Sequence, residues 1–135
     1  MSVTQSTIEE TVHAALREDI GDGDITAELI PADAISLANV ISREECVFCG
    51  MDWFEEVFRQ IDDEVFIEWN VQDGDSIEAG GTICSLSGSS RSLLTGERTA
   101  LNFLQTLSAT ATLASRYAAA VAGTNTVVLD TRKTI

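Results

Sequence analysis

Residues 92 to 122 read as one long helix, and no other feature limits the fold so strongly. Leu93, Leu94, Ala100, Leu101, Leu104, Leu107, Ala111 and Ala118 supply a continuous apolar face. At about 1.5 Å per residue, the helix would be roughly 45 Å long if unbroken. The small polar run Ser108-Ala109-Thr110-Ala111-Thr112 predicts a break or a close approach there. Gly123 and Asn125 close the helix, and residues 126–130 read as a strand. A strand after a long helix, with polar residues at its C-terminal end, is the repeating unit of an α/β barrel. Before residue 92 the texture is the opposite, with short alternating segments between glycine turns. A boundary at Gly88-Ser89-Ser90-Arg91-Ser92 therefore divides the chain into 1–91 and 92–135.

The strand runs from Val127, Val128 and Leu129 into Asp130, Thr131, Arg132 and Lys133, and Lys133 is the only lysine in the chain. Apolar β-formers that lead straight into an acid, a hydroxyl and two adjacent cations describe a buried strand emerging into an active site. Barrel active sites lie at such strand ends. On this reading the chain is a piece of an enzyme that stops where the catalytic residues begin.

The first half carries several local signals. Ser6-Thr7-Ile8-Glu9 fits a capping box with Ser6 as N-cap, opening a helix to about Asp19 with Ile8, Val12, Leu16 and Ile20 on its apolar face. Gly21-Asp22-Gly23-Asp24 lacks the acid spacing of a calcium loop and reads as a capped turn. Strands are predicted at 35–43, about 45–49 and 65–71, the last with Val65, Ile67, Trp69 and Val71 on one face. Trp53, Phe54, Val57, Phe58 and Ile61 have helical spacing and belong to the core. The glycine turns and short strands of 71–88 have the spacing of biotinyl and lipoyl carrier modules. Those carriers hold their cofactor on a hairpin lysine, which this segment lacks, so the carrier role is excluded while the architecture remains possible.

Charge is unevenly spread. The net charge is −14, and residues 1–97 hold all but one of the 22 acids against four arginines. Residues 98–135 hold Arg98, Arg116, Arg132 and Lys133 against Asp130 alone. Such an acidic chain should repel nucleic acid and anionic membrane, while the basic end could meet a small anion. A solvated acidic surface is the plainer account of the same numbers. No apolar run approaches the roughly 18–20 residues of a membrane span, and residues 1–5 do not resemble a signal peptide. A cytoplasmic location is expected. Cys46 and Cys49 form a CxxC pair with Cys84 apart and His13 on another element, too few ligands for a structural zinc site, so buried free thiols are expected. His13 lies one residue off its helix's apolar stripe and should be exposed.

Three stretches together resemble a known family: Gly21-Asp22-Gly23-Asp24-Ile25-Thr26, the run Gly96-Glu97-Arg98-Thr99-Ala100-Leu101-Asn102-Phe103-Leu104-Gln105-Thr106-Leu107-Ser108, and Asp130-Thr131-Arg132-Lys133-Thr134. The chain resembles the N-terminal half of quinolinate phosphoribosyltransferase, also called nicotinate-nucleotide pyrophosphorylase (carboxylating). The resemblance implies an α+β fold: a hammerhead-like α/β sandwich, then a long helical segment and the first strand of a truncated α/β barrel. It implies a reaction of quinolinate with phosphoribosyl pyrophosphate that yields nicotinate mononucleotide, pyrophosphate and CO2 in NAD synthesis, with Mg2+ accompanying the phosphoribosyl pyrophosphate and its ligands beyond residue 135. It implies a homodimer in which Arg98 crosses the interface to a quinolinate carboxylate. Thr131, Arg132 and Lys133 then bind substrate anions, with Lys133 also catalytic.

Two positions depart from the family pattern. Gly96 stands where the family usually carries alanine or another helix former, at a cost of up to about 1 kcal/mol in helix propensity, and Ala109 stands where glycine is common. Two other readings remain at this point: a homologue acting on nicotinate or associated with molybdenum transport, and a non-catalytic dimerisation or binding module.

Overall fold

The computed structural model describes residues 3–21 and 23–129. Helix α1 (Gln5–Ile20) starts two residues earlier than the capping box predicts. Thr4 is the N-cap, because its extended backbone lets its Oγ1 accept from Thr7 N at 3.3 Å. Ile8, Val12 and Leu16 are buried as expected, His13 is exposed, and Gly21 ends the helix with φ 55°. A one-turn helix α2 (Ile25–Glu28) follows, capped by Asp24.

Strands β1 (Ile35–Ile41), β5 (Thr82–Ser89) and β3 (Phe66–Trp69) form an antiparallel sheet in the order β1-β5-β3. Ile35 pairs with Ser89 and Trp69 with Cys84, and the β1 register shifts at Val40/Ile41. β2 (Cys46–Val47) and β4 (Ser76–Ile77) make a second small ladder. β1, β2 and β3 are shorter than the stretches read from sequence. The alternation survives: Val65, Ile67, Trp69 and Val71 are half-buried, while Phe66, Glu68 and Asn70 are exposed.

Helix α3 (Met51–Ile61) lies between α1 and the long helix α4 (Ser90–Ala120). Its aromatic face forms the centre of the core. Phe54 meets Phe58 at 5.2 Å and Trp69 at 5.3 Å, and Phe48 meets Trp69 at 5.6 Å between ring centroids. Phe48, Phe54, Val12, Val57 and Cys84 are essentially without solvent contact. Contacts of this size dominate the burial term of a small domain.

Close approach of α3 and α4 depends on Gly96. A Cβ there would stand 2.6 Å from Phe58 Cε1 and 3.1 Å from Ile61 Cδ1. The helix-propensity cost read from sequence is thus the condition for packing the two helices, and Gly96 itself is buried.

α4 is continuous over 31 residues, so the polar run does not break it. That run instead makes the close approach. Cys49 N donates to Ser108 Oγ at 3.0 Å, Ser108 Oγ donates to Cys49 O at 3.1 Å, and Val47 N donates to Thr112 Oγ1 at 2.9 Å. The two hydroxyls satisfy backbone groups at the edge of β2 that no strand pairs with. Past Thr112 every residue of α4 is exposed, including Ala118, which the apolar stripe had placed on the packed face. The stripe continues in sequence where the body of the sandwich has ended. Residues 126–129 join no ladder in the described structure, and residue 130 of that predicted strand lies outside the described residues.

Candidate functional site

The first three turns of α4 are bound to the N-terminal segment by side chains. Ser89 caps the helix, and Arg91 Nε donates to Ile30 O at 2.7 Å. One turn on, Thr95 Oγ1 donates to Asp24 Oδ2 at 2.9 Å, while Asp24 Oδ1 accepts from Ala27 N at 3.0 Å as the cap of α2. A further turn on, Thr99 Oγ1 donates to Asp19 Oδ2 at 2.9 Å. Thr95 and Thr99 are four apart and so share a helix face. They bring the glycine-aspartate loop and the motif helix together, although Asp19 and Thr99 are 80 residues apart in sequence.

Arg98 sits beside this seam. Its Nε lies 3.2 Å from Asp19 Oδ1, with the arginine side chain 82% exposed and the aspartate 13% exposed. The guanidinium is ion-paired on its Nε side and largely open to solvent, the disposition that suits bidentate contact with a planar carboxylate. Hydrogen bonds from Ala27 N–H and then Thr95 O–H hold the Asp24 carboxyl below its ordinary pKa. Thr131, Arg132 and Lys133 lie outside the described residues, so the structure places only Arg98 of the four residues singled out from sequence.

The cysteines do not form a reactive pair. Burial pushes the Cys84 thiol up to about 12. Burial, reinforced by Asp73 at 3.8 Å from its sulfur, raises Cys49. Both favour the thiol over the nucleophilic thiolate. Among the described residues no group of three or more His, Cys, Asp or Glu is placed to hold a metal ion. No helix among them is long and apolar enough to cross a membrane. A broad cleft of about 1130 Å³ opens between β1 and α4, lined by apolar groups such as Val40, Leu86 and Leu101 with Glu97 and Arg116 at α4.

Sequence reasoning missed Asp19, Thr95 and Thr99. Asp19 lies beside the glycine loop and Thr99 follows Arg98, but no spacing rule connects residues so distant in the chain.

Fold and seam together define a hammerhead-like α/β sandwich extended by one long helix that carries an exposed arginine. Residues 24–108 match the family described as quinolinate phosphoribosyl transferase, N-terminal domain, and the chain belongs to that family. It is 36% identical over 125 residues to quinolinate phosphoribosyltransferase (decarboxylating) 1b of Nicotiana tabacum, covering 91% of this chain and 35% of the tobacco protein. It is 34% identical over 117 residues to the probable nicotinate-nucleotide pyrophosphorylase (carboxylating) of Bacillus subtilis, covering 87% of this chain and 40% of that protein. The solved nicotinate-nucleotide pyrophosphorylase of Francisella tularensis superposes with a TM-score of 0.95 at 42% identity, over 99% of this chain and 48% of that one. The chain thus spans less than half the length of these relatives.

Proposed function

We propose that this chain is the N-terminal part of a phosphoribosyltransferase that converts quinolinate and phosphoribosyl pyrophosphate to nicotinate mononucleotide, CO2 and pyrophosphate. The observation that carries the reading is Arg98, exposed on the family's motif helix and ion-paired with Asp19 at the end of α1, beside the glycine-aspartate loop. Family membership and the names of the relatives support the substrate class.

Arg98 is assigned to a quinolinate carboxylate. Quinolinate is a dianion, and a guanidinium meets a carboxylate with two parallel N–H donors. Thr131, Arg132 and Lys133, at the end of the predicted first barrel strand, are assigned to the same anionic substrates. Lys133 acts there as a compact point charge. Charge separates as the reaction proceeds: positive at the sugar's anomeric carbon, negative on the departing pyrophosphate. Fixed cations at the developing anion lower the barrier. Mg2+ belongs to this reading as the companion of phosphoribosyl pyrophosphate, and no step here depends on it.

Homodimerisation, with Arg98 acting in the neighbouring subunit's site, is part of the proposal. The exposure of Arg98 supports it, as do the exposed Ile35, Leu37 and Ile41 of β1. Leu104 of α4 takes no part in such a surface, being 4% exposed in this chain's own core. A cytoplasmic location is part of the same proposal, and the free thiols support it.

The test is kinetic. In the complete enzyme carrying this chain, R98A should raise the KM for quinolinate and leave that for phosphoribosyl pyrophosphate little changed. The 135-residue chain alone should form no nicotinate mononucleotide. An unaltered quinolinate KM in R98A removes Arg98 from the site, and product formation by the chain alone overturns the division of the active site proposed here.

A further inference from the structure

We propose that Asp19 is a positioning residue for Arg98, fixing the guanidinium at Nε so that its Nη1/Nη2 edge faces the substrate carboxylate. This rests on the assignment of Arg98 to quinolinate.

The aspartate is held before it touches the arginine. Its side chain is 13% exposed, and Thr99, itself 6% exposed, donates to Oδ2 at 2.9 Å. That leaves Oδ1 as an ion-pair partner of Arg98, 3.2 Å from Nε. Because Thr99 is the next residue on α4 after Arg98, the same turn of helix sets both ends of the pair. A guanidinium has five N–H donors in a fixed fork. A partner at Nε leaves the two parallel donors of the Nη edge free, and the exposure of Arg98 keeps that edge open to a ligand.

Two effects of Asp19 oppose each other, and their sizes decide the sign. The carboxylate competes with the substrate for the guanidinium. It also removes rotamer freedom that the substrate would otherwise have to remove. Competition is weak, since an ion pair with one partner this exposed is screened by water and salt, and it engages a nitrogen the substrate does not need. Ordering a long side chain on binding lowers affinity by roughly two- to tenfold. The same screening holds the preorganisation to the low end of that range, but the pair engages a nitrogen the substrate does not need, so loss of Asp19 weakens substrate binding modestly.

D19N tests this in the complete enzyme, because the amide oxygen can still accept from Thr99 while the charge is gone. The expected result is a rise of about twofold in the quinolinate KM with kcat little changed. R98A alone should raise KM further, and adding D19N to R98A should change nothing more. T99V provides an independent variant that keeps the Asp19 charge and frees its orientation, with a smaller rise in KM expected. An unchanged or lowered KM in D19N, beside a raised KM in R98A, overturns the positioning role and leaves the Arg98 assignment standing. An equal rise on adding D19N to R98A also overturns it, since the effect would not pass through Arg98. An unchanged KM in R98A overturns the assignment itself.

Discussion

Replacing Gly96 with alanine sets two well-understood effects against each other. Alanine in a helix interior is favoured over glycine by about 1 kcal/mol, so helix propensity alone predicts stabilisation. Packing predicts the reverse. The new Cβ would lie 2.6 Å from Phe58 Cε1, 3.0 Å from Phe58 Cδ1 and 3.1 Å from Ile61 Cδ1, whereas carbons pack best at about 3.5–4.0 Å. The Phe58 ring has little room to retreat, being 3% exposed with Phe54 at 5.2 Å. Overpacking of this kind costs about 1–3 kcal/mol. With the obstacle a confined ring, the cost falls in the upper half of that range, and the net loss is about 1–2 kcal/mol after the propensity gain. At about 2 cal/mol/K per residue of unfolding entropy, a chain of this size should melt roughly 4–7 °C lower. Thermal and urea unfolding followed by circular dichroism would measure it. The double variant G96A/F58L should lose less than the sum of its parts, since leucine vacates the ring edge. A higher Tm for G96A, or strict additivity with F58L, would refute the packing argument.

The hydroxyls that tie α4 to β2 should each matter modestly: S108A and T112A should destabilise by about 1 kcal/mol apiece, read by urea denaturation, because each orphans a backbone N–H. Asp24 has a folded pKa below its model value of 3.8, so the stability it contributes is fully present above that value and is lost as pH falls through the folded pKa. The stability difference between wild type and D24N should accordingly be flat near neutrality and shrink below about pH 4; a difference that grows on acidification would contradict the assigned hydrogen bonds. Cys84, buried with its pKa near 12, should resist a thiol reagent until the protein is unfolded, whereas the half-buried Cys46 and Cys49 should react first; prompt reaction of three thiols in the native protein would count against the core as described.

Much of the local structure was legible because it depends on neighbours in sequence. The stripe Ile8, Val12 and Leu16, the aromatic face of α3 and the alternation from Val65 to Val71 follow from helical and strand periods, and all are buried or half-buried as read. Misreadings arose where two local solutions competed or where the body ended. Thr4 and Ser6 can both cap a helix, and backbone geometry chose Thr4. Ala118 continues the apolar stripe of α4, yet nothing of the sandwich reaches it.

For the candidate site the division is sharper. The sequence by itself determined the residue types: an arginine in a distinctive helix, a glycine-aspartate loop, and the cation-rich run Asp130-Thr131-Arg132-Lys133. Those motifs sufficed to point to the family, because they are contiguous runs. Only the tertiary structure decided that the loop and the helix form one seam, with Thr95 on Asp24 and Thr99 on Asp19. Only it showed that Gly96 is a packing requirement rather than a defect. The physical reason is the same in both cases. Periodicity reports which face of an element is apolar, whereas contacts between residues 80 apart are set by how the helices and sheet stack.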